Sequence, residues 1–275
     1  MTVFLKTESN PPMNDGPPKI FDPKARALHL ARAVRMTGDA FLRGEAIAGL
    51  SERIAAVTRD LPYRRELGLD ADEHVDAAPE SLDLMTSNLL LHAVNDLPGV
   101  LMQARRALKP DGLFLGALFG GETLTELRQS LAAAELEILG GISPRVAPFA
   151  DVRDLGGLLQ RAGFALPVAD VERTTVRYRD FMQLVRDLRV MGETNALTER
   201  SRKPMRRDML AATLAHYTRH FSDPDGRLRA TFDIVYLTGW APHESQQKPL
   251  KPGSAKMRLD DALGTTERSA GEKTG

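Results

Sequence analysis

The sequence predicts an α/β fold: a parallel-type sheet with helices on both faces. Strand-like apolar runs alternate with helical runs along the chain, and parallel neighbours need such crossovers. The stretch from Glu80 to Gly121 reads as one strand–helix–strand unit, the second half of a nucleotide-type α/β domain. The first half is missing its signature, because no Gly-x-Gly loop precedes Glu80. In such folds that loop follows the first strand and lets the backbone approach a ligand.

Residues 1–19 are polar and proline-rich and read as a tail. Phe21–Met36 carries Ala27, Leu30, Ala31 and Val34 at helical spacing, and Phe41–Thr58 repeats this with Leu42, Ile47, Leu50, Ile54 and Ala55. These are two covering helices, and Pro62 ends the pattern. Residues 59–81 are acid-rich and weakly patterned, with Leu67-Gly-Leu69 the one strand candidate. Leu82–Asn88 is a buried strand, Leu97–Leu108 a helix stopped by Lys109-Pro-Asp-Gly112, and Leu113–Phe119 a second buried strand. A long helix follows from Gly121 to Leu139, with Thr123 and Glu126 at capping-box spacing.

Asp151–Ala162 is a helix ended by Gly163, and Val168–Tyr178 an antiparallel or edge strand. Phe181–Met191 and Arg206–Phe221 are helices, and Asp223-Pro-Asp-Gly226 is a turn. Leu228–Trp240 is the last strand, with Phe232, Ile234 and Tyr236 alternating against Thr231, Asp233 and Val235. The expected plan is one domain over 20–240, with covering helices at 20–58 and a helical insertion at 179–221. A polar tail at 241–275 is expected to be disordered after about Asp261.

Composition narrows the function classes. Thirty-seven basic residues balance thirty-seven acidic ones, which removes a global electrostatic case for nucleic acid or membrane surface. The chain has no cysteine, so disulfides, thiolate metal sites and cysteine nucleophiles are excluded together. Leu84–Val94 is the most apolar stretch, but Thr86, Ser87, Asn88 and His92 interrupt it, and it is too short to span a bilayer. The opening residues lack the basic and apolar regions of a signal peptide. The expectation is a soluble, cytoplasmic protein.

The candidate residues each have a functional and an ordinary reading. His92 and Asn88 lie just after or at a strand's C-terminal end, where α/β sites are built. His92 is there as a base or substrate contact, or as a hydrogen-bonded loop histidine. Asp72 and Glu73 are cofactor contacts or solvated loop acids. Gly120-Gly121 is an imitation of a ligand-approaching glycine loop or a strand-to-helix turn. His216 and His220 stand i, i+4, a metal-compatible spacing, but with no third ligand evident they read as a solvated helix face; no metal is expected. The run Arg202-Lys203-Pro-Met-Arg206-Arg207 could dock an acidic partner, and the other basic run, Arg186–Arg189, is mixed with acid. His243-Glu244 reads as a post-strand polar pair, and Trp240 as packing.

Several motifs together resemble a family. They are Ser87-Asn-Leu-Leu-Leu-His92-Ala-Val-Asn-Asp-Leu-Pro98, Leu108-Lys-Pro-Asp-Gly112 and Phe119-Gly-Gly-Glu-Thr-Leu-Thr-Glu126. Met191-Gly-Glu193-x-Asn195 and Gly239-Trp240-x-x-His243-Glu-Ser-Gln246 extend the likeness, which covers roughly residues 20–256. The chain resembles class I S-adenosylmethionine methyltransferases. Within them it is similar to the malonyl-carrier-protein methyltransferases of biotin synthesis. It is more similar to the methyltransferase-like assembly factors of respiratory complex I, which are described as arginine hydroxylases.

That resemblance implies a Rossmann-like sheet and S-adenosylmethionine as cofactor. It implies Asp72, Glu73, Ser87, Asn88 and His92 as cofactor contacts, with His92 the catalytic candidate. It also implies a protein substrate, such as a complex I subunit. The chain departs from the family at the glycine loop and at the ribose-binding acid. Ala93 stands where relatives often carry Trp. Two strand–helix units need roughly 30 residues each, and only residues 59–81 are available. The sheet is therefore expected to lack its first strand–helix units and to expose an edge that a dimer or a partner would cover. Three readings follow. One is a methyltransferase-like assembly factor acting on or binding a protein. The second is a non-catalytic pseudo-methyltransferase, and the third a carrier-protein or small-molecule O-methyltransferase.

Overall fold

The computed structural model describes residues 19–247. The chain forms α1 (Pro23–Val34), α2 (Phe41–Ala55), β1 (Arg64–Glu66), β2 (Leu82–Asn88), α3 (Leu97–Ala107), β3 (Leu108–Gly120) and α4 (Thr125–Leu139). It continues through α5 (Val152–Arg161), β4 (Ala165–Tyr178), α6 (Phe181–Val190), α7 (Arg207–Phe221) and β5 (Leu228–Trp240). The five strands make one sheet in the order β1-β2-β3-β5-β4. β1, β2 and β3 run parallel, and β5 is antiparallel to both β3 and β4. The α/β expectation holds, with α3 as the crossover between β2 and β3.

Aspartates start four helices. Asp22, Asp96, Asp151 and Asp180 each accept a backbone N–H from the first turn of α1, α3, α5 and α6, satisfying donors that have no partner inside the helix. Two apolar layers sandwich the sheet. On one face Leu84, Leu115, Phe119, Phe232 and Tyr236 pack with α2, α4, α6 and α7. On the other, Met85, Phe114, Val235 and Leu237 pack with α3 and α5. The alternation read along the last strand matches this: even-numbered residues face one layer and odd-numbered residues the other.

Several expectations are corrected. The strand in the acid-rich stretch is Arg64–Glu66 rather than Leu67-Gly-Leu69. Leu69 makes only an isolated bridge to Val75. Pairing with β2 selects the residues there, because Arg64 to Glu66 have no apolar pattern of their own and are exposed. Lys109-Pro-Asp-Gly112 does not separate helix from strand as a free turn. It is taken into β3, with Asp111 at a positive φ of 63° and a register shift on the facing strand.

The capping box does not form. α4 starts at Thr125 after Leu124, which sits at φ 56°. Thr123 donates to the Asp233 carbonyl instead (3.2 Å), and Glu126 accepts from the Thr231 backbone and hydroxyl (3.0 and 2.6 Å). Tertiary partners outbid the local cap.

The main compact unit ends at Pro242. Beyond it, His243 to Gln246 form a local turn in which the His243 ring nitrogen meets the Ser245 hydroxyl at 2.7 Å. The expected disorder after Asp261 and the tail at 1–18 lie outside the described residues.

Candidate functional site

β2 ends at Asn88, and a short 3₁₀ turn at Leu91–Ala93 carries His92 over the C-terminal edge of the parallel strands. His92 is buried, with 3% of its side chain exposed. Its ring packs on Phe119, with ring centroids 4.9 Å apart, and on Phe149 at 6.1 Å. Its Nε2 lies 3.0 Å from Oε2 of Glu193, which follows α6. Arg26, from α1, grips the same carboxylate at both oxygens, at 2.7 and 2.9 Å, and adds a bond to the Gly192 carbonyl at 3.3 Å. Three segments far apart in sequence thus close one buried network.

Burial pulls the proton affinity of His92 below its ordinary value of 6.5 and outweighs the opposing pull of Glu193. Burial also opposes ionisation of Glu193. His92 and the Arg26 guanidinium, through charge and hydrogen bonds, overcome it and hold that carboxyl far below its ordinary 4.5. At neutral pH the network is therefore Arg⁺, carboxylate⁻ and neutral imidazole, with Nε2–H donating to Glu193. Nδ1 is then an acceptor, and it is buried without a protein partner, as are Ser87 Oγ, Asn88 Oδ1 and Arg26 Nε.

Beside this network lies a cavity of about 380 Å³. Its wall is mostly apolar, with Phe119, Phe149, Phe181 and Phe232 among the lining residues. Arg26, His92, Arg145, Arg189 and Glu193 also line it. Arg145 is tied to the buried Glu135 at 2.7 Å.

The sequence-derived candidates do not all converge. Ser87, Asn88 and His92 cluster at the end of β2. Asn88 touches α2, its Nδ2 donating to the Arg43 carbonyl at 3.5 Å. Asp72 is exposed on the turn after β1. Glu73 is occupied: its carboxylate accepts from the Asn95 and Asp96 backbone N–H groups at 2.7 and 2.8 Å and from Asn95 Nδ2 at 3.1 Å. Asp70 is likewise bonded to the backbone N–H groups of Asp72 and His74.

Gly120-Gly121 is a turn with its amides taken. Gly121 N–H donates to the Ala150 carbonyl (3.1 Å), and Glu122 N–H donates to the Asp233 carboxylate (3.2 Å). His216 and His220 stack with centroids 4.4 Å apart. Among the described residues no three His, Asp or Glu side chains come together in a way that could hold a metal.

A bound S-adenosylmethionine requires a free carboxylate for the ribose diol and a glycine loop for close backbone approach. No glycine loop precedes β2. The unbonded polar atoms at the end of β2 could serve a ligand, and Asp72 is exposed, whereas Glu73 is committed to the start of α3 and Asp70 to its own turn. The network itself was only half legible in sequence. His92 was visible from its place after a strand and Glu193 from the Met191-Gly-Glu193-x-Asn195 motif, whereas Arg26 carries no local signal and nothing in sequence pairs it with Glu193. They sit 167 residues apart and meet only when α1 packs against the end of α6.

Comparisons with known proteins agree with one another. A profile for a methyltransferase domain matches residues 22–167. The chain is 47% identical over 187 residues to the mitochondrial arginine-hydroxylase NDUFAF5 of Dictyostelium discoideum, covering 68% of this chain and 43% of that protein. It is 45% identical to the human protein of the same name, covering 69% of this chain and 55% of that one. It is 36% identical to a malonyl-[acyl-carrier protein] O-methyltransferase of Halorhodospira halophila, covering 74% of this chain and 67% of that one. The chain thus spans about half the length of the two NDUFAF5 proteins. No helix among the described residues is long and apolar enough to cross a membrane.

Proposed function

The chain belongs to the methyltransferase-domain family, and on that premise we propose that it is a methyltransferase-like protein of the respiratory complex I assembly-factor type that binds a protein partner. The observation that carries this reading is the buried Arg26–Glu193–His92 network beside an open apolar cavity. Burying three ionisable groups costs several kcal/mol of desolvation unless all are paired, and such groups in a cleft mark a functional site. The family motif around Met191-Gly-Glu193 supports the same assignment, since Glu193 is the hub of the network.

Whether the protein also transfers a methyl group turns on the cofactor. Family membership favours S-adenosylmethionine, with Ser87, Asn88 and His92 as the residues that would meet it. The occupied Glu73 and Asp70, and the missing glycine loop, favour the non-catalytic reading, which we adopt. We read residues 20–240 as one domain. We keep the cytoplasmic assignment as part of the proposal, while noting that the two NDUFAF5 proteins carry mitochondrial names.

Calorimetric titration of the full chain with S-adenosylmethionine tests the choice. No heat of binding up to millimolar ligand is expected. Binding tighter than about 100 μM, roughly −5.5 kcal/mol, would overturn the non-catalytic reading. Capture of complex I subunits by the immobilised full chain, lost in a Glu193→Ala variant, would support the assembly role. Equal capture by both proteins would remove the site from it.

A further inference from the structure

The two edges of the sheet are unlike. β1 closes one of them with 3 residues, whereas β4 closes the other with 14 and pairs with β5 alone. The direction of β4's outer backbone groups follows from β5. On β5, the Thr231 N–H donates to Glu126 and its carbonyl accepts from Leu124, while Asp233 exchanges bonds with the Thr123 hydroxyl. These odd-numbered residues turn their backbone away from β4. Opposite residues of an antiparallel pair turn together, so Val171, Arg173, Thr175 and Arg177, which face Val235, Asp233, Thr231 and Arg229, aim their N–H and C=O groups outward. Among the described residues no hydrogen bond reaches those groups.

An open edge is a template for another strand unless something blunts it. Pro167 and the register shift between Ala165 and Val168 blunt the first residues. From Val168 to Tyr178 there is no Pro, Gly or Lys, and Val168, Val171, Thr174, Thr175 and Val176 favour a strand. The charges on this run are spent on its own chain. Arg53 holds Asp170 and Glu172, Asp233 holds Arg173, and Asp223 and Asp225 hold Arg177. None is left over to repel a strand laid alongside.

We propose that β4 pairs antiparallel with β4 of a second copy, about a two-fold axis at Thr174, joining two sheets into one. Acids and bases balance along Val168–Tyr178, so its own copy is a charge-matched mate. A two-fold axis perpendicular to the sheet sets residues of one face opposite each other, and the central residue then fixes every pair. Like charges directly opposite are destabilising. Centring on Asp170, Glu172 or Arg173 sets that charge against its counterpart. Centring on Val171 sets Asp170 against Glu172, and centring on Thr175 sets Arg173 against Arg177. Of the residues from Asp170 to Thr175, Thr174 alone avoids this. It sets Asp170 against Tyr178, Val171 against Arg177 and Glu172 against Val176. It also sets Arg173 against Thr175, so that outward groups on both strands meet and bond.

The chain has no cysteine, so a single introduced one reports the register. Thr174 turns its backbone toward β5, which makes the pair across the axis a non-hydrogen-bonded one with Cα atoms about 4.5 Å apart, within disulfide reach. Under mild oxidation Thr174→Cys should form a covalent dimer, and Val171→Cys, distant from its counterpart, should not. In sedimentation the unsubstituted full chain should double its mass by about 100 μM. Thr175→Pro removes a donor that faces outward, a change an edge strand tolerates, and should weaken association about tenfold or more. Thr174→Lys, which faces two lysines across the axis, should do the same and gives the reading if the proline chain fails a urea melt. A chain monomeric at about 100 μM would overturn the proposal. So would a Thr174→Cys chain that stays uncrosslinked, a Val171→Cys chain that crosslinks as readily, or folded variants that associate like the unsubstituted chain. None of these measurements uses S-adenosylmethionine or a complex I subunit, so the outcome is independent of the function proposed above.

Discussion

At the residue scale the chemistry centres on one neutral imidazole. Burial holds the His92 proton affinity below 6.5, whereas the same side chain in the unfolded chain protonates near that value. Below pH 6.5 the unfolded chain therefore binds more protons than the folded one, and stability falls as pH drops. The limit for a single group is about 1.4 kcal/mol per pH unit. Glu193, held ionised beside Arg26, acts in the same direction but only below its ordinary 4.5. His92→Gln keeps a donor for Glu193 and removes the titration. Its melting temperature should fall less than that of the wild type between pH 7.5 and 5.5, and parallel curves would show that another group sets the acid sensitivity.

At the element scale the most telling piece is the turn after β1. Glu73, at a positive φ of 62°, lays its carboxylate over the entry to α3. Asn95, bonded to that carboxylate, also brackets Phe21 at the start of α1, accepting from its N–H at 2.8 Å and donating to its carbonyl at 3.2 Å. The acid read in sequence as a ligand contact thus joins three segments. Glu73→Gln replaces one acceptor oxygen with a donor facing N–H groups, and should cost about 1–3 kcal/mol in denaturant unfolding. A stability unchanged within error would mean that Glu73 is free for another task.

At the scale of the whole molecule, two apolar layers on one sheet fix where everything sits. α2 can lie close to the sheet because Gly49 has no side chain. A Cβ there would stand 2.3 Å from the Tyr236 hydroxyl and 2.5 Å from its ring. Gly49→Ala should therefore push α2 off β5 and cost about 1–3 kcal/mol, as overpacking does, measurable as a lowered urea midpoint with unchanged slope. The sheet's other distinctive feature is its β1 edge. Three exposed residues stand where the family's remaining strands would continue the sheet, and a three-residue edge offers little to a stray strand.

The helices and β2, β3 and β5 were legible in sequence because each carries a periodic apolar pattern, and that pattern is local. Leu84, Met85, Phe232 and Val235 need no knowledge of their partners to be assigned to opposite faces. His92 was legible for a related reason, since a strand's end announces itself. The rest depended on partners brought from far along the chain. β1 exists because β2 pairs with it. Thr123 and Glu126 turned to β5 instead of capping their own helix, and Glu73 turned to α3. Arg26 and Glu193 became a site only when α1 met the end of α6. Hydrophobic period is written in neighbouring residues, whereas a hydrogen bond or ion pair is decided by whichever donor and acceptor the packed chain leaves side by side. The sequence alone therefore determined the sheet-and-helix fold, the family and the place where a site would lie. Tertiary structure decided the site's charges and the occupation of its acids.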